Sequence, residues 1–421
     1  MLRVLEVAHD HPSWTTGGTE FIAKDLADAL NFREDVSARL LVAATSLQRP
    51  GSAPGSLEAI DDDFVISTGR YDRFSMLRDD GTSWLDSLGK VLETVRPDVV
   101  HLHGIDRLGA EILPAIRRMA PRVRIALTLH DYQIICPNDG LLLTTRDQKR
   151  CMGMQADRCR SCFPQIDAAR HALRQTHLQS LLSAVDVFIA PSEFLKSRFA
   201  DWGIPADKIR VIRNAVKHAA PVKLAVSSEL KAQRTRRDRF AYFGNVSPHK
   251  GVMVLLEAAA RLKARELDLR IDIHGGLGWA DEAFTSAFRD RLEHAGILAQ
   301  HLGPYDRGDL PNILARTDWV VVPSTWWENA PLVILEARAA GRPVICSGIG
   351  GMSELVTDGV DGLHVPPGDA SALADTMAKA ATDTGLWERL ASAPRMPLSH
   401  EAFVDQHLDL FRSFFKRVAA A

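Results

Sequence analysis

Short runs of β-branched and other apolar residues alternate along the chain with longer segments of helical period, the signature of parallel sheets built from βαβ units. The pattern predicts strands near 2–8, 38–43, 64–67, 98–102, 124–129, 186–190 and 209–212. A second series follows near 239–243, 269–273, 319–322, 343–346 and 362–365. Between them, 216–238 contains Pro221, a serine pair and the basic residues Lys231, Arg234, Arg236 and Arg237, with Arg239 just beyond, and reads as a solvated interdomain linker. Each series opens with a strand and a glycine-bearing turn, Gly17-Gly18 in the first half and Gly244 and Gly251 in the second. The expected fold class is therefore α/β, with two doubly wound domains over 1–215 and 239–400. A terminal packing helix within 401–421 carries Phe403, Leu408, Phe411, Phe414 and Phe415. Ligands of such sheets bind beyond the carboxyl ends of strands. That rule singles out His103, His130, Ser192 and Asn214 in the first half, and Gly244, Gly275, Ser324 and Ser347 in the second.

A length of 421 residues suits two or three domains. A composition of 46% hydrophobic and 25% charged residues excludes collagenous, coiled-coil and largely disordered classes. The 51 basic and 53 acidic residues leave a net charge of −2, so nucleic acid is not an expected partner and any anion site is built locally. The first apolar run is interrupted by Glu6 and fails as a signal peptide, and no apolar run approaches membrane-spanning length. The expected location is cytoplasmic, with peripheral contact to the inner face of the membrane left open.

The most informative stretch follows the predicted strand 319–322. Asn329 or Ala330 would cap a helix with Pro331 at its first position, leaving free amides at the ligand edge of the sheet, a ready site for phosphate. Glu328 and Glu336 bracket that helix start, roughly 12 Å apart at the helical rise, and both accept hydroxyl hydrogen bonds without metal. Glu336 has apolar neighbours in Leu335, Ala337, Ala339 and Ala340, which sets it apart from an ordinary solvated helix residue. Asp61-Asp62-Asp63 invites a metal-binding reading, but it precedes a strand and is expected to be a solvated loop.

The stretch 323–344 (PSTWWENAPLVILEARAAGRPV) resembles the E-x7-E region of retaining glycosyltransferases of family GT4. The continuation through Gly348-Ile349-Gly350-Gly351, Asp358-Gly359 and Asp361-Gly362-Leu363, together with Gly17-Gly18-Thr19-Glu20, Pro97-Asp98-Val99-Val100-His101 and Leu129-His130-Asp131, extends the likeness over nearly the whole chain. The resemblance implies the GT-B fold, two Rossmann-like domains facing each other across a cleft, with the acceptor on the first and a nucleotide diphosphate sugar on the second. By the same likeness Glu328 holds donor-sugar hydroxyls and Glu336 the ribose. Gly17, Gly18, Asn329 and Ala330 approach sugar or phosphate, and Lys250 neutralises the departing diphosphate. His130 faces the donor sugar. Family members commonly place Arg where Asn245 stands, so His249 and Arg213 are candidates to replace that cation. The implied reaction is a front-face transfer to a hydroxyl of a glycan or lipid-linked saccharide, requiring no cofactor. A non-catalytic nucleotide-sugar or glycan-binding protein and a nucleotide-sugar epimerase are the alternatives on the same scaffold.

Four of the five cysteines, Cys136, Cys151, Cys159 and Cys162, follow the His130 strand within a loop-like stretch, 136–162, with Cys-x14-Cys-x7-Cys-x2-Cys spacing. Their thiolates would suit a tetrahedral structural zinc, with four reduced thiols as the equal alternative. They resemble a cysteine-bearing insertion found in part of the same family. Cys346 lies in a predicted strand and is read as core.

Overall fold

A computed structural model describes residues 1–15, 17–79, 82–217, 236–278, 280–392 and 397–416. It divides into two compact units, Met1–Asn214 with Glu401–Ala421, and Ala215–His400.

The first unit contains β1 (Leu2–Ala8), β2 (Val36–Ala44), β3 (Leu57–Ile60), β4 (Asp63–Ser67), the short pair β5 (Tyr71–Asp72) and β6 (Leu77–Arg78), β7 (Val99–Leu102), β8 (Arg124–Thr128), β9 (Val187–Ala190) and β10 (Ile209–Val211). Eight of these form one sheet in the order β10-β9-β8-β7-β1-β2-β4-β3. All its pairings are parallel except β3 with β4. The chain leaves β1 toward β2 on one side and returns to β7 on the other, so the strand order reverses between β1 and β7 and places the ligand crevice there. The central strands read as near-continuous apolar runs because helices cover both faces of a parallel sheet. Glu6 in β1, His101 in β7 and Thr128 in β8 are buried polar exceptions. Arg3 and Asp98 clamp the starts of β1 and β7 with a guanidinium–carboxylate contact of 2.8 Å.

The second unit carries β11 (Arg239–Phe243), β12 (Arg270–His274), β13 (Ala299–Gly303), β14 (Trp319–Val322), β15 (Val344–Ser347) and β16 (Gly362–Val365) in the parallel order β13-β12-β11-β14-β15-β16. Here the order reverses between β11 and β14. Its core packs Phe240, Leu255, Ile271, Phe288, Trp319 and Leu373 on one side of the sheet.

Four strands escaped the sequence pattern, two of them the two-residue pair β5 and β6. β13 (AQHLG) is an edge strand with one buried residue in five, so it lacks the apolar run that marks its neighbours. β3 is a similarly exposed edge strand. The aspartate run also differs from expectation: Asp61 and Asp62 are exposed, but Asp63 is buried, with Lys24 Nζ at 3.2 Å and His11 Nε2 at 3.3 Å. Most of the predicted linker, 218–235 with Lys231 and Arg234, lies outside the described residues. Of its basic residues, Arg236 is exposed and pairs with Asp268 at 2.9 Å, whereas Arg237 is half-buried and stacks 4.1 Å over Trp387.

The terminal helix His400–Lys416 returns to the first unit and buries Phe403, Val404, His407, Leu408 and Phe411. Phe411 and His407 pack 5.3 and 5.6 Å from the His101 ring of β7. Phe411→Ala should cost about 3–5 kcal/mol, the usual range for emptying a buried aromatic site. In calorimetry the first unit's transition should fall while the second unit's stays in place, and an unchanged first transition would contradict the packing described.

Candidate functional site

Each sheet presents a cluster of polar side chains at its reversal point. In the first unit, β1, β7 and β8 deliver Glu6, His101, His103 and Thr128 side by side, with His130 just past β8. Glu6 Oε2 lies 2.7 Å from His101 Nδ1 and 2.9 Å from His103 Nε2. His101 Nε2 meets Thr128 Oγ1 at 2.7 Å, and His103 Nδ1 meets His130 Nε2 at 3.1 Å. Burial opposes ionisation of Glu6, but His101 and His103 outweigh it and bring its pKa down to about 2. Burial, with neighbouring imidazoles, holds His130 well below its usual value and takes His103 to about 4. Both rings are therefore neutral at pH 7. Beside them His130, Asp106 and Asp131 line a small cavity.

Gly17 and Gly18 begin the helix that follows β1, and a Cβ at Gly17 would fall 2.3 Å from the Glu20 carboxylate. Glu20 in turn holds His9 Nε2 at 2.8 Å. Burial works against charge on His9, but the Glu20 contact outweighs it and raises its pKa.

In the second unit the loop between β14 and the helix Leu332–Ala339 carries Glu328. Lys250 Nζ and Ser324 Oγ both engage Glu328 Oε1, at 2.7 and 2.8 Å. Burial would push this carboxyl up, yet the Lys250 charge and these hydrogen bonds hold it below its usual value. Backbone contacts on both sides fix the loop. Thr325 N donates to His249 O at 2.9 Å, and Gly351 N donates to Glu328 O at 2.8 Å. A Cβ at Gly251 would lie 1.9 Å from Pro323 O and one at Gly351 1.4 Å from Asn329 O, so only glycine permits these approaches.

Pro331, rather than Asn329 or Ala330, is the helix cap. Asn329 and Ala330 are buried just ahead of it. Glu336 is largely buried and pairs with Arg307, a partner absent from the sequence reading; burial raises the Glu336 pKa while Arg307 draws it down. Tyr305, in edge contact with Phe243 and His274, lies close enough to feel Glu336. Asn245 is exposed at the end of β11, its carbonyl accepting from Tyr242 Oη at 2.8 Å. Burial and the Lys250 charge take the His249 pKa down to about 4, so it is neutral at pH 7 and does not supply the cation missing at Asn245. Arg213 is exposed in the first unit.

Cys136, Cys151, Cys159 and Cys162 form no disulfide and line a single cavity with Ile135, Leu142 and Phe163. The donor set fits a soft cation. Burial pushes the Cys136 thiol up to about 11, and the Cys151 thiol donates to Gly153 O at 3.1 Å. Their sulfurs are not drawn together at ligand spacing. Among the described residues only Glu6, His101 and His103 gather three metal-capable atoms within 4.8 Å of one another, and the Glu6–His103 separation of 2.9 Å is a hydrogen bond. Cys346 is core, as expected.

Two parallel α/β sheets, each with its polar cluster at the reversal point, define a GT-B scaffold. The sequence model of Glycosyltransferase Family 4 matches residues 16–220, and that of Glycosyl transferases group 1 matches residues 228–395. The chain belongs to this glycosyltransferase family. It is 30% identical over 200 residues to D-inositol 3-phosphate glycosyltransferase of Kribbella flavida, covering 46% of this chain and 47% of that relative, so the match spans about half the relative's length. It is 26% identical to glycogen synthase of Mycobacterium tuberculosis across 95% of this chain and 91% of the other. Among solved structures, Anabaena HepE in complex with UDP and glucose shares the fold over the full length of both chains, with 18% identity and a TM-score of 0.63.

The neutral imidazoles make the first unit acid-sensitive. His103 and His407, the latter held near 3 by burial, stay unprotonated in the folded state, whereas the unfolded chain protonates near 6.5. Their contribution is complete above pH 6.5 and is lost as pH falls toward about 4, at roughly 1.4 kcal/mol per pH unit per histidine. Glu6 extends the loss downward from 4.5 to about 2. His9, with its raised pKa, acts oppositely and loses its contribution as pH rises. Urea midpoints between pH 7.5 and 5 should fall steeply, and His407→Phe should flatten the slope; a pH-independent midpoint would contradict buried neutral histidines.

Proposed function

We propose that the chain is a retaining glycosyltransferase that moves a sugar from a nucleotide diphosphate sugar to a hydroxyl of a glycan or lipid-linked saccharide. The observation that carries this reading is the Lys250–Glu328–Ser324 cluster at the reversal point of the second sheet, with buried Glu336 farther along the same segment. Nothing in it requires a metal. Glu328, ionised and held rigidly, accepts hydroxyl hydrogens of the donor sugar, and Glu336 accepts from the ribose. Lys250 lies within reach of both Glu328 and the Trp326 ring. Binding of a diphosphate offers its ammonium a second anion, so it stabilises charge as the sugar–phosphate bond breaks. With His249 neutral, that task rests on Lys250. The acceptor hydroxyl arrives on the face the phosphate leaves, and the phosphate oxygen takes its proton. Positioning and charge stabilisation then account for the rate without a dedicated base. The UDP and glucose held by HepE support a nucleotide-sugar donor. The glycogen synthase relative supports a glycan acceptor.

Among the described residues no helix is long and apolar enough to cross a membrane. We place the enzyme in the cytoplasm, with a lipid-linked acceptor bringing it to the inner face of the membrane.

The four cysteines extend the proposal to a structural zinc. Cys136, Cys151, Cys159 and Cys162 would move together as thiolates around one ion and order the segment after His130.

Thermal shifts with UDP, GDP, ADP, CMP and NAD should single out one nucleoside diphosphate. At 100 times its dissociation constant the gain is about 2.7 kcal/mol, and Glu336→Ala should abolish it. Donor turnover should fall on the order of 10²–10³-fold in Lys250→Ala, the scale for removing one preorganised charge-stabilising group, and vanish in Glu328→Ala. Binding without turnover on any acceptor would overturn the catalytic reading. For the metal, elemental analysis should find one zinc per chain, lost in Cys159→Ser together with first-unit stability; a zinc-free protein with titratable thiols would refute it.

A further inference from the structure

The buried histidine cluster of the first unit determines which nitrogen of His130 carries the hydrogen. We propose that Glu6 and His103 are positioning residues: a Glu6–His103–His130 relay pins His130 as the Nε2–H tautomer, which leaves its Nδ1 an acceptor and never a donor. The consequence for the reaction rests on the transferase reading above. The relay itself rests on geometry.

The logic runs outward from the carboxylate. Ionised Glu6 has no hydrogen to give, so His103 Nε2, 2.9 Å from Oε2, must be the donor. Neutral His103 then has a bare Nδ1. That nitrogen lies 3.1 Å from His130 Nε2, which must carry the hydrogen. The two rings are 17° from parallel with centroids 5.3 Å apart. Combined with the nitrogen separation, this places them end to end, the in-plane geometry an imidazole lone pair requires. His130, neutral as well, is left with a hydrogen-free Nδ1.

His101 does not compete for this line. It approaches Oε2 of Glu6 through Nδ1 and meets Thr128 through Nε2. Thr128 therefore supplies a control, a buried contact of the same cluster that lies off the path to His130.

His130 lines the small cavity with Asp106 and Asp131. Asp106 is nine-tenths buried, and its Oδ1 has no hydrogen-bond partner. With His130 Nδ1 limited to accepting, these three side chains suit a sugar hydroxyl, which brings hydrogens, and disfavour a phosphate oxygen, which brings none. In this tautomer His130 cannot donate through Nδ1 to a leaving diphosphate.

Long-range ¹H–¹⁵N spectra of the ligand-free protein with labelled histidine should show His103 and His130 both as Nε2–H tautomers at pH 7.5. An Nδ1–H tautomer at either ring would overturn the relay. In His103→Phe, which deletes the acceptor, His130 should become a tautomer mixture and kcat should drop about tenfold or more, the scale seen when an outer partner of a functional histidine is lost. His103→Asn, whose Oδ1 replaces the accepting Nδ1, should restore both the tautomer and most of the rate. Thr128→Val, although also cutting a buried hydrogen bond, should leave His130 as Nε2–H. If His103→Phe leaves the His130 tautomer unchanged, the relay is wrong. If the tautomers behave as expected in a protein that transfers no sugar, the relay stands and the transferase reading falls.

Discussion

A carboxylate with no solvent exposure lies within the central strand of the first sheet, and much of the first unit follows from keeping it satisfied. An unpaired charge at Glu6 would cost several kcal/mol. His103, just past the neighbouring strand, donates to it and His101 of that strand lies 2.7 Å away, an arrangement that needs β1 and β7 in a particular register. Glu6 stands opposite His101. A slip of one residue would turn both histidines to the other face of the sheet and strand the charge. The ion thus specifies register as well as occupying core volume. His101 in turn needs Thr128 from β8, and the terminal helix crosses back to seal the cluster with His407 and Phe411.

The second unit uses a different device. Its charges sit on a loop rather than in a strand, and their precision comes from glycine. Gly251 and Gly351 let neighbouring backbone press against the Glu328 loop from separate directions, at separations no side chain tolerates. The loop is also tied by hydrogen bonds from Thr325 and to Glu328. Glu328 is consequently fixed before any ligand arrives, and Lys250 and Ser324 neutralise and orient one oxygen. Preorganisation of this kind lets a carboxylate bind hydroxyls without reorganising at the moment of reaction.

Both clusters stand where the strand order of their sheet reverses, which is why conformationally simple elements suffice to assemble them. Consecutive βα turns diverge at that point and leave a crevice, so residues in the loops that leave the strands meet from distant parts of the chain. His103 and His130 meet in this way, as do Lys250 and Glu328, which are 78 positions apart in sequence.

The sequence by itself determined the class of fold, the division into two α/β halves and the local stretch that bears Glu328 and Glu336, because apolar runs of a few residues and glycine or proline at turns are local signals. It missed β3 and β13, edge strands whose exposed faces remove the apolar run on which such a reading depends, and the two-residue pair β5 and β6, too short to show one. Partners were harder still. Arg307 for Glu336, Thr128 for His101 and Lys24 for Asp63 come from separate elements, and no spacing rule links them. Glu6 reads in sequence only as an interruption of an apolar strand, and His103 as a lone histidine at a strand end. Only the tertiary structure made them a relay, since a hydrogen bond between residues 97 apart exists solely through the register of two parallel strands.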